Sequence, residues 1–224
     1  MSYDALKLQQ TELIRKSLGG SVFVAEATAN DVTTLTELTG EAPNQVHDIA
    51  ALPAGYEDLG FLTDAGAAMN TETTTSDVSS WQSTQPTRSD ITAETSTLQV
   101  VCQETKLLTL GLYTGSALAG IEALAGTGDL IIKKPQRPSG RFYKVLSLAV
   151  DENEFGEIYI ARFLPRAKVT GRGGQSYDKS DNAIQWDVTF TGYYDATYGS
   201  SESFLFGGPG WLGLLDEMGI EQAD

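Results

Sequence analysis

Cysteine and histidine are almost missing from this chain, with Cys102 and His47 each standing alone among 224 residues. A single cysteine forbids an internal disulfide and any site built from several thiolates. It suits a chain that folds in a reducing compartment, with Cys102 as a buried thiol. A Ser-His-Asp device would have to use His47, which lies beside Asp48 in a polar stretch with no nucleophile elbow. No Gly-Lys pair occurs, which excludes a phosphate-binding P-loop, and Gly171 to Gly174 follow Val169-Thr170 as a flexible turn. Cations are scarce as well: 15 Lys and Arg face 30 Asp and Glu, and the formal charge of −15 disfavours any partner gripped through its phosphates. No apolar run approaches the roughly 18 residues of a membrane span, and Met1 to Lys7 contain no apolar signal core. The expectation is a soluble chain with no membrane partner and no secretory processing.

Two weaker signals for chemistry also fail. Asp151, Asn153 and Gly156 resemble the start of a calcium loop, but Phe155 takes its fifth position and Arg162 its closing position, where a bidentate glutamate belongs. Paired carboxylates are the tools of glycosidases, yet in so acidic a chain some pairs fall close by chance. No catalytic residue, metal or cofactor is expected, and the chain is not expected to be an enzyme.

What is present is enough apolar material, 41% of residues, to bury one core, and residues 1–224 read as one domain. Leu6, Leu13, Ile14 and Leu18 have loosely helical spacing that stops at Gly19-Gly20, giving a short helix or an arm. Ser21 to Ala25 predicts a strand, Thr28 to Pro43 a loop, and Tyr56 to Thr63 a second strand. Residues 64–90 are rich in Thr and Ser, with Met69 and Trp81 almost alone as large apolar residues. They read as a long polar loop or loose hairpin, whose length makes it a candidate working part. Ile91 to Glu104 predicts a long strand whose apolar phase slips, Ile91 and Ala93 on one face and Leu98, Val100 and Cys102 on the other, so a bulge or a change of environment is expected midway. Thr105 to Thr114 predicts a short helix capped at Gly115. Arg141 to Val150 and Glu157 to Leu164 predict a buried hairpin with a charged turn, and Ile184 to Tyr194 a half-wet strand. The final stretch, residues 203–224, is unusually apolar. Phe204, Phe206, Trp211 and Leu212 are its candidate packing residues, either on the chain's own core or on a neighbour. Many strands and one convincing helix predict a mainly β fold, an antiparallel sandwich or barrel with one flanking α-helix and a long extended loop.

Lys133, Lys134, Arg137, Arg141 and Lys144 form the one basic stretch, with no acid between its ends. It is either a solvated face or a patch that meets the acids of a sister subunit, since residues 41–100 carry nine acids against Arg88 as the lone Lys or Arg.

The order of segments resembles the major tail tube proteins of siphophages, especially those infecting actinobacteria. The matching stretches are Gly20 to Ala27, then Tyr56 to Gly66 (YEDLGFLTDAG), a polar loop holding Trp81, a long strand, the helix within Glu104 to Gly115, the strand Ile184 to Asp195, and Gly207 to Leu212. Together they cover most of the chain. The sequence departs from that pattern in a polar insert at Thr28 to Asn44 and in Ser, Gln and Thr replacing the frequent loop glycines near Trp81. The resemblance implies hexameric rings stacked into a virion tail tube, assembled in the bacterial host cytoplasm. Strands of neighbouring subunits would line the bore, and DNA would leave through it without specific binding. Its implied partners are the chain itself, a tape measure protein, a tail terminator and distal tail or baseplate proteins. Asp64, Met69, Trp81 and Arg88 then become candidates for ring stacking. A phage decoration or receptor-binding β-domain is the rival reading, since it would share the acidity and the polar loops.

Overall fold

The computed structural model describes residues 7–41, 45–116, 120–137, 140–177, 179 and 183–222. Its centre is a hairpin of two long strands, β7 (Tyr143–Asn153) and β8 (Gly156–Arg172), joined by a tight turn at Glu154-Phe155. Gly156 faces Asn153 across the last rung with φ of 120°, a left-handed backbone region that glycine enters without steric cost. On the outer side of β7 lies β1 (Gly19–Glu26), paired over its whole length, and beyond it the two-residue β4 (Glu57–Asp58). On the other side, β8 pairs with β9 (Trp186–Gly192), then come β6 (Arg88–Cys102) and finally β5 (Leu62–Val78). The end strand β10 (Ser203–Gly207) pairs with the first half of β8, and every pairing is antiparallel. A separate ribbon joins β2 (Thr36–Thr39) to β3 (Val46–Ile49).

Successive residues of a strand point to opposite faces, and the central strands are apolar on both. Val22, Val24, Val145 and Leu164 share one interior with Leu98 and Val100 of β6 and Val188 and Phe190 of β9. The neighbours in sequence Leu146 and Phe163 enter a second cluster with Tyr159, Ala161, Val32 and Leu35. Because β1 and β7 share an interior with β6 and β9, the sheet curls around it as an open barrel. Near its ends, β1, covered only in part by the terminal β4, and β5 approach each other without pairing.

Helix α1 (Leu107–Thr114) is bound to this barrel at several points. Leu112 enters the interior, the Tyr113 hydroxyl donates to the Gly173 carbonyl at 2.7 Å, and the Tyr113 ring meets Trp186 edge-on at 5.2 Å. Gly115 ends the helix at φ of 70°, as its position in sequence predicts.

Several expectations are corrected by this arrangement. Of the two readings of 64–90 the hairpin holds and the loop does not: the segment is most of β5, the turn and the first residues of β6, because Thr71, Thr73, Thr74 and Thr75 are β-branched and hold an extended backbone without an apolar face. Tyr56 to Thr63 is not one strand. It breaks at Gly60, leaving only Glu57–Asp58 on β1, and sends Leu59 fully into the interior. Thr28 to Pro43 contains β2 and the buried Val32 and Leu35, and Gly171-Arg172 continues β8 instead of turning. Among its described residues the N-terminal stretch is an arm with a 3-10 turn at Thr11–Leu13, while Leu6 lies outside them. The slipped phase of β6 has both suggested causes. The register skips Thr92 between the pairs Thr74–Ala93 and Thr75–Ile91, and the strand passes from solvent to core along its length.

Cys102 is fully buried, and burial pushes its thiol up to about 11 from an ordinary value of about 9. In the unfolded chain the thiol ionises first, so the unfolded state binds fewer protons across that window. Stability gained from this group is therefore lost as pH rises from about 9 to 11, and Cys102→Ala should flatten that decline in urea titrations. Phe190→Ala and Phe163→Ala should each cost about 3–5 kcal/mol in the same measurement, since both rings are fully buried.

Candidate assembly surfaces

The hairpin β5–β6 extends far beyond the sheet that carries it. β9 pairs with β6 only from Thr97 to Cys102, whereas β5 stays paired with it out to the rung Val78–Arg88. Arg88 to Ser96 thus forms about 30 Å of two-stranded ribbon at the usual rise per residue. Its root is fastened by Arg162, whose guanidinium pairs with Glu202 and reaches Thr71 Oγ1, while the Ser96 hydroxyl donates to Glu202 at 2.6 Å. Its tip is closed by hydroxyls: Thr87 donates through both its amide and its Oγ1 to the Val78 carbonyl, and Ser83 turns the chain onto Gln85. Trp81 sits on that tip with 99% of its surface exposed.

The candidates named for this segment separate. Trp81 and Arg88 are on the projecting part, Arg88 in an exposed 2.6 Å ion pair with Asp90. Met69 is half-buried against the main interior and Asp64 lies at the root of the hairpin, so neither projects.

The basic stretch separates too. Lys133, Lys134, Arg137 and Arg141 are exposed on the long connection between α1 and β7. Lys144 leaves the group, because it is buried on β7 and bonded to Asp31 inside its own chain. The same connection exposes Leu130 and Ile131, at 41% and 67%, which sequence reasoning passed over. The signal was there: a β-prone run, Leu130 to Ile132, closed by Pro135 and flanked by Gly126 and Gly128.

The apolar end of the chain packs on its own chain and leaves two rings exposed. It packs back, since β10 adds to β8, Leu214 is buried, and the short helices α2 (Pro209–Leu212) and α3 (Leu215–Met218) follow. It also leaves Phe204 and Phe206 about half exposed on alternate positions of β10. The Arg162 guanidinium lies 4.6 Å over the Phe204 ring, Phe206 stacks on Trp211 at 4.6 Å, and Leu212 is half-buried.

Between β1 and β5 the unclosed barrel leaves a groove of about 680 Å³. Asp58, Asp64, Glu104 and Lys106 border it, and Phe61, 76% exposed, stands along it. Glu104 accepts the Phe61 amide at 2.6 Å and pairs with Lys106 at 3.0 Å, which together hold its carboxyl below the usual carboxylate range. His47 lies elsewhere, across from Leu38 on the β2–β3 ribbon. Asp151 and Asn153 are likewise spent on structure: Asp151 pairs with Arg15 at 3.5 Å and Asn153 caps the Phe155 amide. Among the described residues no group of three or more His, Cys, Asp or Glu is placed to hold a metal, and no helix is long and apolar enough to cross a membrane.

A curled antiparallel sheet whose distinctive features lie on its edges and overhangs defines a β-structural protein. The chain belongs to the phage tail tube protein family, whose sequence model matches residues 8–204. Among the solved structures that align with it is the virion of a native gene transfer agent particle, at 8% identity and a TM-score of 0.33, covering 68% of this chain and 88% of that one. Another is an Hcp protein, at 9% identity and a TM-score of 0.33, covering 83% and 96%. No curated protein matches the sequence.

The two kinds of ion pair here should respond differently to truncation. Asp31→Ala strands the buried Lys144 ammonium and should cost about 3 kcal/mol in chemical denaturation, whereas Asp90→Ala, which frees an exposed Arg88, should cost less than about 1 kcal/mol.

Proposed function

We propose that this tail tube protein is the subunit of a long, non-contractile siphophage tail. In this reading it forms hexameric rings that stack into the conduit for DNA, works without catalysis, and is a single tail tube domain. The projecting β5–β6 ribbon carries the proposal. A two-stranded ribbon is marginal by itself, and this one buries almost nothing against its own chain beyond Ser96. An exposed tryptophan at its tip is what a contact with the next ring would use, and covering Trp81 there would contribute about 2 kcal/mol per subunit, repeated along the tube. The half-exposed Phe204 and Phe206 offer a second contact surface. Assembly in the host cytoplasm beside a tape measure protein, a tail terminator and distal tail or baseplate proteins completes the reading.

The acidity fits a conduit. With a formal charge of −15, a bore rich in carboxylates repels phosphates at short range, so DNA slides instead of adhering.

Two measurements test this. Replacing Thr74 to Ala93, beyond the pair Thr73–Glu94, with an Asn-Gly turn should leave the thermal transition of the monomer in place and abolish tubes seen by electron microscopy. Normal tubes would show that the ribbon does not stack rings. Gel-shift titration at physiological salt should detect no DNA binding, and a nanomolar Kd would refute the repulsive bore.

A further inference from the structure

We propose that the open seam of the barrel receives residues 130–134 of a second copy of this chain as an added β-strand. The proposal rests on the tube reading above and names a contact that builds it. Both walls of the groove between β1 and β5 are sheet edges. β4 pairs with β1 only at Phe23 and Val24, and the Leu59 amide donates to the Val22 carbonyl at 3.0 Å, so Gly19 to Ser21 have no strand on their outer side. β5 ends the sheet, and within it Thr63 to Gly66 lack even a register partner on β6, where the pairing jumps from Leu62–Cys102 to Ala67–Val100. Gly66, at φ of 63°, lets the strand bow out there. A barrel one strand short, with edges facing each other across a groove of about 680 Å³, is a template for strand addition.

The occupant is argued from its own chemistry. Leu130-Ile131-Ile132 is β-prone and apolar, yet it joins no sheet of its own chain, and Leu130 and Ile131 stand exposed. Pro135 ends it, as an added strand needs. Lys133 and Lys134 follow directly, and the groove they would enter is bordered by Asp58, Asp64 and Glu104 against Lys106 alone. Apolar side chains of the segment would cover Phe61, while the lysines meet the acids. Other segments fit less well. The β5–β6 tip would bring Asp77 and Asp90 to an acidic groove, and in the N-terminal arm Arg15 is committed to Asp151 of its own chain.

In a Cys102→Ala background, Ala65→Cys protein is mixed with separately tagged Ile131→Cys protein, assembled and oxidised. Only contacts between copies can then join the two tags. The expected result is a cross-linked heterodimer in tubes and none in dilute monomer. Trp81→Cys and Leu8→Cys proteins, mixed in the same way, represent the hairpin tip and the arm as rival occupants, and cross-linking through either in place of Ile131→Cys overturns the proposal. In parallel, Lys133→Glu with Lys134→Glu should cut tube yield about tenfold or more while the monomer melts normally, and adding Asp58→Lys with Asp64→Lys should restore it. Undiminished tubes from the lysine variant overturn the proposal. Tubes that form without the Ile131→Cys cross-link sink this inference and leave the tube reading standing, whereas wild-type protein that never assembles sinks both.

Discussion

The β7–β8 hairpin is buried on both faces, and the rest of the molecule is arranged around that constraint. Val145 and Leu164 point into the barrel, while Leu146 and Phe163, their neighbours in sequence, point into a second cluster on the other side. A sheet covered on one face only would leave Leu146, Phe163 and Tyr159 in water. The polar-looking stretch around Val32 and Leu35, together with Tyr56, Tyr198 and Leu205, supplies that second cover. The buried Lys144, on the same strand, is tolerable only because Asp31 of that covering segment meets it.

Curling places its own demand on the molecule. An open sheet must end somewhere, and its edges carry unpaired backbone groups that attract other strands. Among the edges that remain here are the outer side of β10, the full length of β5, and the short stretch of β1 that β4 does not reach. In a solitary protein these would be liabilities. In the tube reading proposed above they would be places to join, and the aromatic residues of β10 and the acidic groove beside β5 lie along two of them.

The ribbon depends on the same logic in reduced form. Its strands hold no core, so the backbone ladder, threonine stiffness and the hydroxyl contacts at its tip keep it extended. Arg162 ties its root to β8 and β10, which places the direction of the overhang under the control of one half-buried guanidinium.

Much was legible in the amino-acid order. Alternation in Ile184 to Tyr194, the double-faced apolar runs flanking Asp151 to Gly156, and the Gly115 cap each specify local structure through periods and backbone preferences that belong to a few consecutive residues. The excess of acids disfavours gripping DNA through its phosphates on composition alone, and the order of segments matched the tail tube family that residues 8–204 belong to. The misreadings share a cause. Thr71 to Val78 carried no apolar alternation, so a strand held by its ladder could not be told from a loop, and Lys144 looked like its exposed neighbours until Asp31, over a hundred residues away, was seen to face it. Likewise the unclosed seam is a relation between β1 and β5, which lie some forty residues apart. Patterns within one element are set by local sterics and solvation, whereas which edge stays open and which charge is buried depends on how distant strands pack, and only the tertiary structure decided those.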